Sequence, residues 1–406
     1  MILDRTINHF AFSGEFGRQM RFITGPRQTG KTTSAVEFLE KNNCKKLYYN
    51  WDQRKIRNQF IEDNYFYLKD LLNVSPTGNK RWLCMDEIHK YPKWKDILKD
   101  FFDSHGSENG FIVTGSARLD MMRKSGDSLA GRYFTFRLNP VTLAEVLGKA
   151  FQPPAETAEE WINKRLDNVN YHEREISDLL EFSGFPEPML SGSKRFHNKW
   201  RDDYVDRLVR EDIRDLTKIR ELENIAILVQ ILPSKVSSPL SINSLTKDIK
   251  CSFATVSNYL KTLELAYLVF RIPPYTKKIA RSLTKENKLY FFDWTRISSS
   301  ARRFENYIAV ELKTLLESWV DAGFGNYELN FIRDRDGKET DFLIVKESQP
   351  WMMIEVKTAN STIEYHHLKN RSILGNIPFI QITRADGVAE KRADGVYQLS
   401  ASRFFA

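Results

Sequence analysis

Short apolar runs separated by segments of helical period open this chain. Residues 19–24 (QMRFIT) predict a strand, 33–41 (TSAVEFLEK) a helix, and 81–85, 110–114 and 133–138 three further strands. Beyond Gly148 the strand signals fade, and Pro153-Pro154 mark a boundary before a charged, helix-forming stretch at 159–216. Residues 224–232 are apolar and helical, 241–249 form a helix with Ser241 at its N-cap, and 252–263 form a second short helix after a tight turn. Residues 267–273 read as a strand. From Phe304 an amphipathic helix runs to about residue 316, followed by strands at 327–333, 339–345 and 351–357.

A chain of 406 residues is long enough for two to four domains. With 41% hydrophobic and 28% charged residues it falls outside the disordered and collagen-like classes. No apolar window approaches the length of a membrane span, and the N-terminus shows no apolar signal region. Cys44, Cys84 and Cys251 are far apart and form no Cys-x-x-Cys, which argues against a zinc site or disulfide framework. A cytoplasmic protein is expected.

The strongest chemistry lies between the first strand and helix. Gly25, Pro26, Arg27, Gln28, Thr29, Gly30, Lys31, Thr32 and Thr33 spell G-x-x-x-x-G-K-T in a strand–loop–helix context. The glycines let backbone N–H groups turn inward toward phosphates. Lys31 can reach the β- and γ-phosphates of ATP, and the Thr32 hydroxyl can ligate Mg²⁺. About fifty-five residues later the apolar run of the second strand ends in Asp86 and Glu87. Asp86 would hold the Mg²⁺ through water, and Glu87 would polarise the attacking water. Thr114 or Ser116, at the end of the third strand, could orient that water. Arg132, with Arg118 competing, is the candidate arginine finger, supplied in trans in a ring or otherwise in cis.

The motifs GPRQTGKTT, CMDEIHKYPKW, VTGSA and LAGRYFTFRLNPVTLAEVLG resemble the AAA-type ATPases related to archaeal and signal-transducing P-loop proteins. The resemblance spans roughly the first 150 residues and implies a parallel five-strand core with helices on both faces.

The net charge of +8 is concentrated. Residues 231–290 carry ten basic residues (Lys235, Lys247, Lys250, Lys261, Arg271, Lys277, Lys278, Arg281, Lys285 and Lys288) against three acids. Such a patch is the footprint of phosphate-backbone binding. The element order here is that of a winged helix. In SFATVSNYLKTL, Phe253, Val256, Tyr259, Leu260 and Leu263 should pack inward, leaving Ser252, Thr255, Asn258 and Lys261 toward a DNA groove. In the preceding helical stretch, Arg207, Arg210 and Arg214 are candidate nucleotide sensors, against the plainer reading of a solvated helix face.

In the last strand Glu355 and Lys357, two apart, share a face, and Asp341 reaches the same point from the neighbouring strand. Two carboxylates with an adjacent ammonium can hold a divalent metal and steady a phosphate. The arrangement resembles the restriction-endonuclease-like fold, whose Asp…Glu-x-Lys triad would be Asp341, Glu355 and Lys357, with Glu305 or Glu311 as the helix carboxylate. Thr340 stands where that pattern usually has proline. His366-His367 are expected to be exposed. End to end the chain is similar to a prokaryotic family that joins such an ATPase to a C-terminal domain with a nuclease-like core.

The expected fold is α/β, with a P-loop ATPase sheet at 1–150 and a helical lid or linker at 151–222. A winged helix at 223–290 and a restriction-endonuclease-like domain at 300–406 follow. The expected activity is Mg²⁺-dependent ATP hydrolysis coupled to DNA, in a protein that can form a homo-oligomer. The rival readings are a nucleotide-gated switch and a DNA-binding regulator, both with a non-catalytic C-terminal domain.

Overall fold

The computed structural model describes residues 3–63, 65–115, 129–168, 170–213, 222–276, 286–334 and 336–406. It divides into two compact units, Asp4–Asn139 and, apart from the first few residues, Pro140–Ala406. The expected boundary at 150 thus becomes a division after Asn139.

In the first unit five strands pair wholly in parallel. They are β1 (Met20–Thr24), β2 (Tyr48–Asn50), β3 (Arg81–Asp86), β4 (Asn109–Thr114) and β5 (Tyr133–Arg137), in the order β2-β3-β4-β1-β5. Helices α1 (Lys31–Lys41), α2 (Arg54–Glu62), α3 (Phe66–Leu72) and α4 (Trp94–His105) lie between them in sequence. Every residue of β1 and β4 is buried, as parallel central strands require. Arg21 is the charged residue of β1. Its guanidinium stays buried by donating to backbone carbonyls of Ala11, Ser13, Phe16, Gly17 and Gln19, which fastens the N-terminal segment against the sheet.

The chain leaves β1 toward β2 on one side and leaves β4 toward β5 on the other. A crevice therefore opens at the carboxyl ends of β1 and β4, where parallel sheets bind ligands. Register brings the catalytic candidates to one level there, because Thr114 pairs with both Ile23 and Asp86.

The second unit begins with α5 (Leu143–Val146), α6 (Ala158–Leu166), α7 (Glu173–Phe182), α8 (Pro186–Ser191) and α9 (Lys194–Arg207). Then follow α10 (Leu222–Ile231), α11 (Ile242–Ile249), α12 (Phe253–Leu265) and an antiparallel ribbon of β6 (Val269–Ile272) and β7 (Lys288–Phe291). Helix α13 (Ser300–Asp321) starts from a Ser299 cap whose hydroxyl accepts from the Arg302 N–H. Beyond it come β8 (Tyr327–Arg333), β9 (Glu339–Lys346), β10 (Gln349–Lys357), α14 (Tyr365–Ile373), β11 (Phe379–Thr383), β12 (Ala389–Lys391), β13 (Val396–Ser400) and α15 (Ala401–Phe404). The last six strands form one mixed sheet in the order β12-β13-β11-β10-β9-β8.

The lid, winged-helix and nuclease-like segments expected from the sequence share a single core. Trp161, Leu179, Trp200, Leu228, Leu260, Trp294, Tyr307, Trp319 and Ile354 belong to one continuous apolar cluster. The chain after the ribbon's first strand also bonds to the sheet, with the Tyr275 N–H donating to Phe331 O at 2.8 Å and the Phe331 N–H to Pro273 O at 3.1 Å. Apolar burial on that scale offers no surface for these segments to separate cheaply. Among the described residues no helix is long and apolar enough to cross a membrane.

Candidate functional site

Glycine-permitted geometry shapes the loop between β1 and α1. Gly25 and Gly30 have φ of 137° and 96°, and Gln28 also sits in the left-handed region at 64°. Gly30 caps α1, which begins at Lys31, two residues earlier than the sequence pattern suggested. The loop thus leads straight into the start of α1, where an anion would meet the positive helix end. The Lys31 ammonium donates to Gly25 O at 3.1 Å and Pro26 O at 2.5 Å, while the Thr29 hydroxyl donates to Pro26 O at 2.9 Å. Pro26 is buried, Arg27 and Gln28 are half-buried, and Thr32 and Thr33 are exposed at the helix start. Arg5, which no motif singled out, braces this loop by donating to the carbonyls of Thr29 and Asn139.

Asp86 ends β3 and gathers three hydroxyls. Thr32 Oγ1 donates to Oδ2 at 3.0 Å, Tyr48 Oη donates to the same oxygen at 2.5 Å, and the Thr114 hydroxyl donates to Oδ1. Thr114 thus lies against Asp86. The alternatives Ser116 and Arg118 lie outside the described residues, as does Arg214. Tyr48 was invisible as a site residue, because only the β2–β3 register, pairing Asn50 with Asp86, brings it there. Burial and the Asp86 carboxylate push the Tyr48 phenol up, so it stays a donor. The Thr32 hydroxyl and Asp86 carboxylate are hard oxygens within one ion's reach, and so fit Mg²⁺.

Glu87 follows in a left-handed conformation, φ 59°, with its N–H donating to Thr114 O at 3.0 Å. Its carboxylate lies 3.3 Å from Lys90 Nζ and 3.5 Å from His89 Nε2, and Lys90 also pairs with Asp52 at 2.5 Å. Burial raises the Glu87 carboxyl above the ordinary range, against the opposing pull of Lys90 and Lys31. Arg132 stands away from the phosphate loop. It precedes β5, and its neighbour Tyr133 pairs with Met20 at the amino end of β1, opposite the phosphate loop. Its guanidinium pairs with Asp103 at 2.8 Å.

The second unit assembles a different cluster. Asp341 on β9 and Glu355 on β10 lie side by side. The Val356 N–H donates to Asp341 Oδ2 at 3.0 Å, and the Asp341 N–H donates to Glu355 Oε2 at 3.3 Å. Lys357 Nζ sits 2.8 Å from Glu355 Oε1, so the Asp…Glu-x-Lys residues do converge. Glu305 is the helix carboxylate that joins them, accepting from Tyr290 Oη at 2.8 Å. Glu311 does not, because it accepts from the Leu143 N–H at 2.8 Å and caps α5. Burial, then the neighbouring Asp341, pushes both Glu305 and Glu355 up to about 8. His367 corrects the expectation of exposure. It is buried, with Nδ1 2.9 Å from Thr340 Oγ1 and Nε2 3.7 Å from Glu355.

Sequence reading also missed Lys288. This β7 residue places Nζ 3.2 Å from Glu339, 3.3 Å from Asp341 and 3.8 Å from Glu305. An ammonium thus stands among the carboxylates where a divalent ion was expected. Among the described residues no group of three or more His, Cys, Asp or Glu side chains is arranged to hold a metal ion.

Lys288 also leaves the basic patch, being 1% exposed, and Arg271 is bound to Glu264 at 2.6 Å. Lys277, Lys278, Arg281 and Lys285 lie outside the described residues. Lys247, Lys250 and Lys261 are exposed, and Lys235 is part-exposed near Asp248. On α12, Val256, Tyr259, Leu260 and Leu263 pack inward as expected, but Phe253 is 54% exposed because it sits in the first turn, short of the core. Ser252 caps that helix by accepting from the Thr255 N–H at 3.1 Å. Arg207 and Arg210 lie on an exposed face of the preceding helical segment.

Residues 17–147 match the family model of an AAA domain, and residues 173–298 match that of a domain of unknown function (DUF8612). The chain is 25% identical over 353 residues to an uncharacterized protein of Methanocaldococcus jannaschii, MJ1544, covering 83% of this chain and 74% of that protein. A second uncharacterized protein of that organism, MJ1637, is 25% identical over 65% of this chain and 59% of its own length. Among solved structures, the Aeropyrum pernix ORC1 protein in complex with DNA aligns at 15% identity and a TM-score of 0.30, over 74% of this chain and 86% of that one. The chain is thus similar to an AAA domain over residues 17–147 and to a domain of unknown function over 173–298.

Proposed function

We propose that this protein binds and hydrolyses ATP at the loop 25–33 and uses the turnover on DNA. The observation that carries the reading is the convergence of Lys31, Thr32, Asp86 and Thr114 at the carboxyl edge of one parallel sheet, with Thr32 and Asp86 joined at 3.0 Å. On nucleotide entry Lys31 exchanges the carbonyls of Gly25 and Pro26 for the terminal phosphates, and the first-turn amides of α1 meet the remaining oxygens. Thr32 and Asp86 would hold Mg²⁺, which neutralises charge on the β- and γ-phosphates when bound. Thr114 and Tyr48 orient Asp86. Glu87, released from Lys90, accepts the proton of the attacking water, a role its raised carboxyl suits. Arg132 would serve the neighbouring chain of a homo-oligomer.

DNA contact would fall on the exposed face of the α11–α12 region, where Lys247, Lys250 and Lys261 accompany Ser252 and Asn258. In the C-terminal sheet Asp341, Glu355 and Lys357 adjoin one another. With Lys288 among its carboxylates it does not fit a divalent ion, so no cleavage step is derived. That observation favours the second reading, in which ATP gates a DNA-binding protein that does not cut. The test is phosphate release by the purified chain with and without DNA. Lys31→Ala should lose ATP binding, and Glu87→Gln should bind ATP while turning over at least about 100-fold more slowly. Normal affinity in the first variant or normal turnover in the second would refute the assignment.

A further inference from the structure

We propose that Lys288 is a built-in cation that takes the place of a divalent metal among the carboxylates of Glu305, Glu339 and Asp341, so that this site is closed to metal while the lysine is present. The assignment is independent of the nucleotide reading, since it concerns another site and is tested without ATP.

The argument begins with position. Lys288 arrives from the ribbon, yet its ammonium meets carboxylates of α13 (Glu305) and β9 (Glu339 and Asp341) at 3.2–3.8 Å. A Mg²⁺ or Mn²⁺ ion would need at least two of these groups at about 2.0–2.2 Å. The carboxylates are spread to the spacing of an ammonium. An ion placed on the same oxygens would lie no farther than about 6 Å from Nζ, where repulsion in a poorly solvated site still far exceeds thermal energy.

The other oxygens are committed too. Asp341 Oδ2 is held by the Val356 N–H, and the Glu355 oxygens face Lys357 and the Asp341 N–H. Lys288 cannot simply swing aside. It is 1% exposed, pairs with Ile272 across the ribbon and with Pro239 on its other side, and has the Phe331 ring 5.3 Å from Nζ. Removing a single buried partner leaves the facing carboxylates uncompensated, and a divalent cation is the simplest replacement for that charge.

The experiment titrates Mn²⁺ into the nucleotide-free full chain, reading bound ion by electron paramagnetic resonance and stability by thermal unfolding. Wild type and Asp341→Asn should bind Mn²⁺ equally, with no site that depends on Asp341. Lys288→Met should gain about one Mn²⁺ per chain and a rise in unfolding temperature with Mn²⁺, both lost in Lys288→Met/Asp341→Asn. A stoichiometric Mn²⁺ in wild type that disappears in Asp341→Asn would overturn the proposal, as would a folded Lys288→Met that gains no ion. Should Lys288→Met fail to fold, Lys288→Gln replaces it, and the comparison of wild type with Asp341→Asn decides by itself.

Discussion

Replacing Gly25 with alanine would test the loop geometry more sharply than removing any charge. A Cβ built at Gly25 lies 2.3 Å from Leu138 O and 3.0 Å from Leu138 C, both backbone atoms, on a residue with φ +137°. Relief requires roughly 1 Å of movement to reach ordinary contact. Leu138 cannot supply it easily, because it is buried and its N–H donates to Thr24 O at 2.8 Å. Overpacking against fixed backbone costs about 1–3 kcal/mol, and the backbone conformation about 1–2 kcal/mol more. At 1.4 kcal/mol per tenfold, that predicts at least about 25-fold weaker ATP binding. Gly30 separates the two contributions. Its added Cβ would meet nothing nearer than Arg5 Nη1 at 3.7 Å, so only the φ of +96° is strained, and Gly30→Ala should lose about tenfold. Gly131→Ala, with φ +78° and open space at the far end of β5, should lower stability by about 1 kcal/mol and leave ATP affinity alone. The assay is calorimetric titration with Mg²⁺-ATP beside thermal unfolding of each variant. Gly25→Ala binding within threefold of wild type, or Gly131→Ala binding as weakly as Gly30→Ala, would refute the reasoning.

Tyr48→Phe removes a donor from the Asp86 carboxylate, and a hydrogen bond to a charged group is worth about 1.5–3 kcal/mol. Turnover should fall about tenfold with a shifted Mg²⁺ requirement, and an unchanged Mg²⁺ titration would reduce Tyr48 to packing. If Lys235, Lys247, Lys250 and Lys261 all touch phosphates, log affinity for DNA should fall with log salt at a slope of about −3.6. Each Lys→Ala change should flatten it by about 0.9, and Lys250→Ala with an unchanged slope would take that residue off the interface. Glu311 is held protonated by burial, its carboxyl pushed up to about 8, whereas in the unfolded chain it ionises near the ordinary ~4.3. Between those values the native state keeps a proton that the unfolded state releases. Stability should therefore fall as pH rises, by up to about 1.4 kcal/mol per pH unit from this group. Denaturant unfolding from pH 5 to 8 should show a shallower decline in Glu311→Gln, and equal slopes would remove Glu311 as the cause.

Chemistry that depends on neighbours in the chain was legible in the sequence. The loop 25–33 needs only a strand before it and a helix after it, so its residue types and spacing specified the turn and the helix that follows, though not that helix's first residue. Glu355 and Lys357 share a face because a strand repeats every two residues, whatever the rest of the fold does. Tertiary structure decided whatever depended on pairing between distant segments. The β2–β3 register brought Tyr48 to Asp86, and parallel pairing with β1 carried Arg132 to the far end of the sheet. The ribbon turned Lys288, counted by composition as part of a surface patch, into the buried partner of three carboxylates. Sequence spacing carries information about a residue's own helix or strand. Which cation ends beside which anion is settled by strand order and by the desolvation that makes an unpaired buried charge too costly to keep.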